Sequence, residues 1–144
     1  VQFVAPMTQK ILQYDHCFAC GSTNKKGLKL KFFQENDQAV AEFDCPSDYE
    51  GYSGLIHGGI IALLMDEAMA HAIINQGVIA VTAQMHTHYR NPMKTGCKVK
   101  VSAWIKVAKT RTIQTAAHIE DADGTIIASG EAIYIVVEKV PQAE

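Results

Sequence analysis

An α+β fold, an antiparallel sheet wrapped around one long central helix, is predicted by three features of this 144-residue chain. After His57-Gly58-Gly59 comes a nearly unbroken apolar run, Ile60 to Ile74, interrupted by Asp66, Glu67 and His71. Ala, Leu and Met favour helix, and a helix apolar on every side is a buried one. Flanking it are segments in which apolar and polar residues alternate, two before and four after. Short turns join them, which makes neighbouring strands antiparallel. A curved sheet around the helix is the arrangement that buries it with so little chain. One sheet covers one side of the helix; the other, still apolar, predicts an obligate homodimer, with a tetramer left to the sheet's outer face.

In chain order, residues 6–15 (PMTQKILQYD) have a helical pattern, with Pro6 tolerated in the first turn. Residues 16–27 form a loop rich in Cys, Gly, Ser and Asn, so 1–27 is a short N-terminal helix and loop. LKLKFF (28–33) and AVAEF (39–43) alternate around Glu35-Asn36-Asp37 and predict a hairpin. Residues 44–56 carry Pro, Ser, Asp and Gly and deliver the chain to the helix, which Asn75-Gln76-Gly77 ends. Strands follow at 78–89, 97–107, 112–120 and 125–137, the last two joined by Asp121-Ala122-Asp123-Gly124. On the third-from-last of these, Cys97, Val99, Val101, Ala103, Ile105 and Val107 share one face.

This length suits a single domain, 1–144, with its own core. A net charge of -2 suggests neither a nucleic-acid surface nor an acidic tail. Asp66, Glu67 and His71 would be expensive in lipid, so the apolar run is not read as a membrane span. The first residues lack the basic and apolar regions of a signal peptide, and a cytoplasmic location is expected. The four cysteines make no dense disulfide framework and are expected to be reduced. Cys17-Phe18-Ala19-Cys20 is read as structural thiols, because a zinc site needs further ligands and no second CxxC exists. His86 and His88 alternate on one strand face with Thr82, Gln84 and Arg90; a polar or oligomer surface is expected there, without a metal.

The helix carries the functional signal. Gly58 and Gly59 leave its N-terminal N–H groups open to approach, and at least one of Asp66 and Glu67 must face a polar cleft or solvent. Glu67 lies about 100° further round the helix and is expected at solvent or an interface, or less directly as the base.

The segments GYSGLIHGGIIALLMDE (51–67) and VTAQMHTHYRNPMKTG (81–96), with the order of elements from Cys17 to Val137, resemble the hotdog-fold acyl-CoA thioesterases of the phenylacetic-acid-pathway (PaaI-like) group. The resemblance implies that Asp66 is nucleophile or general base, that the Gly58 N–H polarises the thioester oxygen, that His57 lines the site and that Thr82 supplies a hydroxyl near the attacking water. Some relatives carry an Asn or Gln before the HGG that assists the base; here Glu50 and Gly51 stand nearby. The chemistry agrees. Thioester hydrolysis needs a base, a water and donors for an oxyanion, and the thiolate leaves without a strong acid. A helix N-terminus supplies such donors, and a carboxylate in an apolar pocket gains basicity.

Gly59 and Glu67 are the further candidates for substrate contact, with Arg90, Lys94, Lys109 and Arg111 near strand ends, where cations can meet coenzyme A phosphates. Eight residues separate Gly58 from Asp66, about 12 Å of helix at ~1.5 Å per residue, so one carbonyl cannot touch both. Two antiparallel helices across a dimer would pair Gly58 of one chain with Asp66 of the other, a composite site that the family's arrangement also implies. No metal or bound cofactor is expected. A hotdog dehydratase or hydratase, and a silent acyl-CoA-binding module, are the alternatives. The first wants a His facing the acid; the second wants a missing acid or an added DNA-binding segment. The acyl group is not legible in a pocket lined by Ile, Met and Ala.

Overall fold

The computed structural model describes residues 14–139. They form one six-stranded sheet and one long helix: β1 (Phe33–Glu35), β2 (Gln38–Phe43), α1 (Gly58–Ile74), β3 (Val78–Tyr89), β4 (Val99–Ala108), β5 (Thr112–Asp121) and β6 (Ile126–Lys139). The strand order is β1-β2-β4-β5-β6-β3, and every neighbouring pair is antiparallel. This is the predicted sheet around a helix. The helical pattern expected at 6–15 falls largely outside the described residues.

The apolar run explains how α1 sits. Ile61, Leu64, Met65, Ala68, Met69, Ala72 and Ile73 recur at three- and four-residue spacing and are buried. They join the inward side chains of β2, β4, β5 and β6, among them Ala41, Val101, Ile119 and Ala132, in one core. Ile60, Leu63 and Ala70, on the opposite side of the helix, are only partly buried. Gly77, at φ 78°, turns the chain from α1 into β3.

Three expectations are corrected. The strand expected at 28–33 is mostly absent, because Lys29 sits at φ 55° and the segment bonds instead to the preceding loop, Leu28 N–H to Phe18 O and Leu30 N–H to Ala19 O. A bulge between Ile105 and Val107 ends the alternation of β4, so Val107 is exposed; Cys97, outside the strand, is exposed too. A second bulge, between Thr82 and Gln84, reorients β3. Thr82 turns to the helix, while His86 and His88 stack on each other at 4.8 Å on the exposed face. Thr82 therefore does not share a face with the two histidines.

β3 ends the sheet, with no strand beyond it among the described residues. Val81 on this edge is 55% exposed. A twelve-residue edge with unpaired backbone groups and apolar side chains is the kind of surface that proteins normally cover.

Candidate active site

Asp66 lies midway along α1, above the pair Thr82–Tyr134, which face each other across β3 and β6. Thr82 Oγ1 donates to Asp66 Oδ1 at 2.7 Å. The Tyr134 hydroxyl lies 2.6 Å from the same oxygen and 2.8 Å from the Asp66 carbonyl oxygen; its single proton serves one acceptor at a time. Oδ2 has no partner among the described residues. Tyr134 is 1% exposed, and burial, followed by the charge of Asp66, pushes its hydroxyl far above the usual tyrosine value. It therefore acts as a donor. The carboxylate is held at one oxygen and open at the other.

At the other end of the site, His57 caps α1. Its Nδ1 accepts from Gly59 N–H at 2.8 Å, which assigns the ring proton to Nε2 and leaves that N–H to donate. Gly59 is thus occupied in the cap. The Gly58 N–H has no acceptor among the described residues, and the Gly58 carbonyl accepts from the Tyr89 hydroxyl at 2.8 Å. That bond ties the helix start to the end of β3. A cavity of about 430 Å³ opens here, lined by Gly51, Tyr52, Leu55, Ile56, His57 and Gly58, with Tyr52 86% exposed. Glu50 does not reach it: its Oε2 caps Gly54 N–H at 2.9 Å.

The predicted residues fall into three places. Asp66 and Thr82 meet at mid-helix; His57, Gly58 and Gly59 gather at its N-terminus, half a helix length away. Glu67 turns from both. Its side chain is 17% exposed, and its carboxylate meets Cys17 Sγ at 3.5 Å and His71 Nε2 at 3.3 Å, so it is neither solvated nor beside Asp66. Burial acts to raise its titration, but His71, Cys20 and Cys17 outweigh burial and lower it. The cations divide too. Arg90 and Lys94 follow β3 at the helix N-terminal end, and Lys109 and Arg111 lie in the β4–β5 turn at the Val78 end of the sheet. Arg90 Nε donates to Ser129 Oγ at 3.3 Å.

Two residues escaped the sequence reading. Tyr134 had a signal, a tyrosine among aliphatic inward positions of a strand, where a buried hydroxyl needs a partner. Tyr89 stood in the quoted segment 81–96, but its bond to Gly58 depends on where β3 ends.

Known proteins share this architecture. The acyl-coenzyme A thioesterase THEM4 of Xenopus laevis is 24% identical over 111 residues, covering 76% of this chain and 50% of that protein. The chain thus spans about half the length of the curated relative it matches. The crystal structure of smu.793 from Streptococcus mutans, bound to acetyl CoA, superposes with a TM-score of 0.73 at 19% identity, covering 78% of this chain and 91% of that one. The PaaI protein of the E. coli phenylacetic acid degradation operon gives 0.73 at 18% identity, covering 78% and 83%. These likenesses establish the hotdog fold. The thioesterase superfamily model matches residues 53–128, a stretch running from the loop before His57 through Asp66, Thr82 and Tyr89, and the chain belongs to that superfamily.

Proposed function

We propose that this chain hydrolyses acyl-CoA thioesters as a homodimer with two composite sites. The observation that carries the reading is the Asp66 carboxylate, fixed through Oδ1 by Thr82 and Tyr134 with Oδ2 open. A carboxylate so oriented can take a proton from water as that water attacks the thioester carbonyl. A carbon–oxygen bond forms, the carbonyl oxygen becomes an oxyanion, and its collapse breaks the carbon–sulfur bond and releases coenzyme A. The Gly58 N–H and the proton on His57 Nε2 are the donors for the oxyanion. The activity of the THEM4 relative and the acetyl CoA bound in smu.793 support this substrate class.

The distance along α1 between Gly58 and Asp66 supports a site whose two halves come from different protomers. The uncovered edge of β3 supports the route: β3 pairs with its copy in the partner, the helices run antiparallel, and each open Oδ2 meets the partner's helix N-terminus. The acyl chain enters the cavity of Tyr52, Leu55 and Ile56. Arg90 and Lys94 of the protomer that supplies Gly58 are the nearer cations for the coenzyme A phosphates; Lys109 and Arg111 reach the ligand only from the other protomer.

The test is thiol release from a panel of short, medium, long and aromatic acyl-CoA thioesters, with Asp66→Asn beside the wild type. A loss of about 10²- to 10⁴-fold in kcat is expected on removing a general base. Turnover undiminished in Asp66→Asn would remove this aspartate from the chemistry.

A further inference from the structure

Beneath the loop of residues 14–32, on the side of α1 away from the Thr82–Tyr134 pair, donor atoms converge that the hydrolytic reading does not use. Cys17 Sγ, Cys20 Sγ and a Glu67 carboxylate oxygen all lie within 4.8 Å of one another. Four residues along the helix from Glu67, the His71 Nε2 stands 3.3 Å from Glu67 Oε2. That nitrogen is buried and makes no hydrogen bond, since it approaches the carboxylate without aiming at it. We propose that Cys17, Cys20, Glu67 and His71 form a binding site for a tetrahedral divalent cation of the zinc class.

The donor set fits that ion and few others. Two thiolates, an imidazole nitrogen and one carboxylate oxygen suit a borderline-soft ion with four ligands, and disfavour magnesium and calcium, which take oxygen. Bonds of about 2.3 Å to sulfur and about 2.0–2.1 Å to nitrogen or oxygen place tetrahedral neighbours about 3.3–3.8 Å apart. The separations of 3.5 Å from Cys17 Sγ to Glu67 Oε2 and 3.3 Å from His71 Nε2 to the same oxygen fall in this interval. His71 Nε2 stands outside the 4.8 Å group of Cys17, Cys20 and Glu67, so its side chain and that of Cys20 turn toward the ion as it binds.

The surroundings are built to hold the cluster. Cys17 N–H bonds to Tyr14 O, and Gly21 N–H to Cys17 O, both at 2.9 Å, coiling the Cys-x-x-Cys-Gly segment into a tight knuckle. A Cβ at Gly21 would stand 2.3 Å from Cys17 N and 2.5 Å from Asp15 O, so the turn admits glycine alone. Ala19, between the two cysteines, is buried, and Phe32 stacks on the His71 ring at 4.3 Å. A cation here links the loop to α1 one residue from Asp66, on the side of the helix that the sheet leaves uncovered. Its role is to fix that turn of helix, with the reaction proceeding elsewhere. The CxxC that lacked further ligands in the sequence gains them from the helix.

The experiment uses full-length protein without a polyhistidine tag, expressed in zinc-supplemented medium and dialysed against a weak chelator. Elemental analysis should give one zinc per chain. Protein stripped with a strong chelator should take up Co²⁺ with thiolate-to-cobalt charge-transfer absorption and tetrahedral d–d bands. Two of the four cysteines should resist a thiol reagent until zinc is removed. Cys17→Ser with Cys20→Ser should abolish the charge-transfer bands, and Glu67→Gln should weaken Zn²⁺ binding at least ~10-fold, since losing even an outer-shell partner of a ligand costs that much. Circular dichroism verifies that the variants are folded. Reduced, folded wild type that takes up neither Zn²⁺ nor Co²⁺ would overturn the proposal. So would a cobalt spectrum without sulfur bands, or a Cys17–Cys20 disulfide in protein purified under reducing conditions.

Discussion

Thr82 and Tyr134 are directly opposed across β3 and β6, and their hydroxyls converge on one oxygen of Asp66, at 2.7 Å and 2.6 Å. The bulge that follows Thr82 keeps this pair on the helix side of the sheet. Two donors on Oδ1 fix the rotation of the carboxylate and present Oδ2 outward. Tyr134→Phe and Thr82→Val should each lower kcat by about tenfold, the equivalent of one hydrogen bond of ~1.4 kcal/mol, with KM nearly unchanged. Since both serve one oxygen, the double variant should lose more than the product of the two single losses. Steady-state thiol-release kinetics on all three variants and the wild type measure this. Strictly multiplicative losses would mean that the hydroxyls do not share a task.

His57 has two duties that a pair of substitutions can separate. As the cap of α1 it accepts from Gly59 N–H; as a site residue it offers its Nε2 proton. His57→Ala should destabilise the fold by about 0.5–2 kcal/mol and also reduce kcat. His57→Asn keeps a capping acceptor, so thermal unfolding should return towards wild type while kcat stays low. Recovery of both together would leave His57 as a cap alone.

These residues also mark how far the sequence could be read. The helix was legible because an apolar run without a polar stripe has one use, and β3 was bounded from its alternation as Val78–Tyr89. Asp66 and Thr82 were legible as a pair from the resemblance. Tyr134 was not, because its approach to Asp66 is fixed by a strand register that exists only once β3 and β6 pair. The failed strand at 28–32 has the same cause: its partners are Phe18 and Ala19, in a loop that local propensity does not describe. For Glu67 the helical angle was read correctly, while the Cys17 thiol it meets lies fifty residues away in the chain.

The composite site makes a prediction that one protomer cannot satisfy. Asp66→Ala and His57→Ala proteins, each impaired alone, should gain activity above either parent when mixed and allowed to exchange subunits, one intact site per hybrid dimer. Val81→Lys puts a charge on the uncovered edge of β3 and should shift the protein towards monomer, with activity falling in parallel. Light scattering and thiol release on the same samples read both effects. Verified hybrids without recovered activity, or a fully active monomer, would refute the shared site.

Tyr134 gives a dependence on pH whose direction follows from its surroundings. Burial and the neighbouring Asp66 charge raise its titration above the ordinary tyrosine value of 10.0. Above that value the unfolded chain releases the phenol proton while the native state retains it. The native state then binds more protons, and stability falls as pH climbs. Below pH 10.0 the contribution is present in full. Wild type should therefore lose thermal stability steeply on the alkaline side, and Tyr134→Phe, lacking the proton to retain, should lose it less steeply despite a lower stability at neutral pH. Melting curves of both proteins across the alkaline range test this: parallel declines would mean that the phenol does not set the limb, and a steeper decline in Tyr134→Phe would reverse the assignment of its hydroxyl as the retained-proton donor to Asp66.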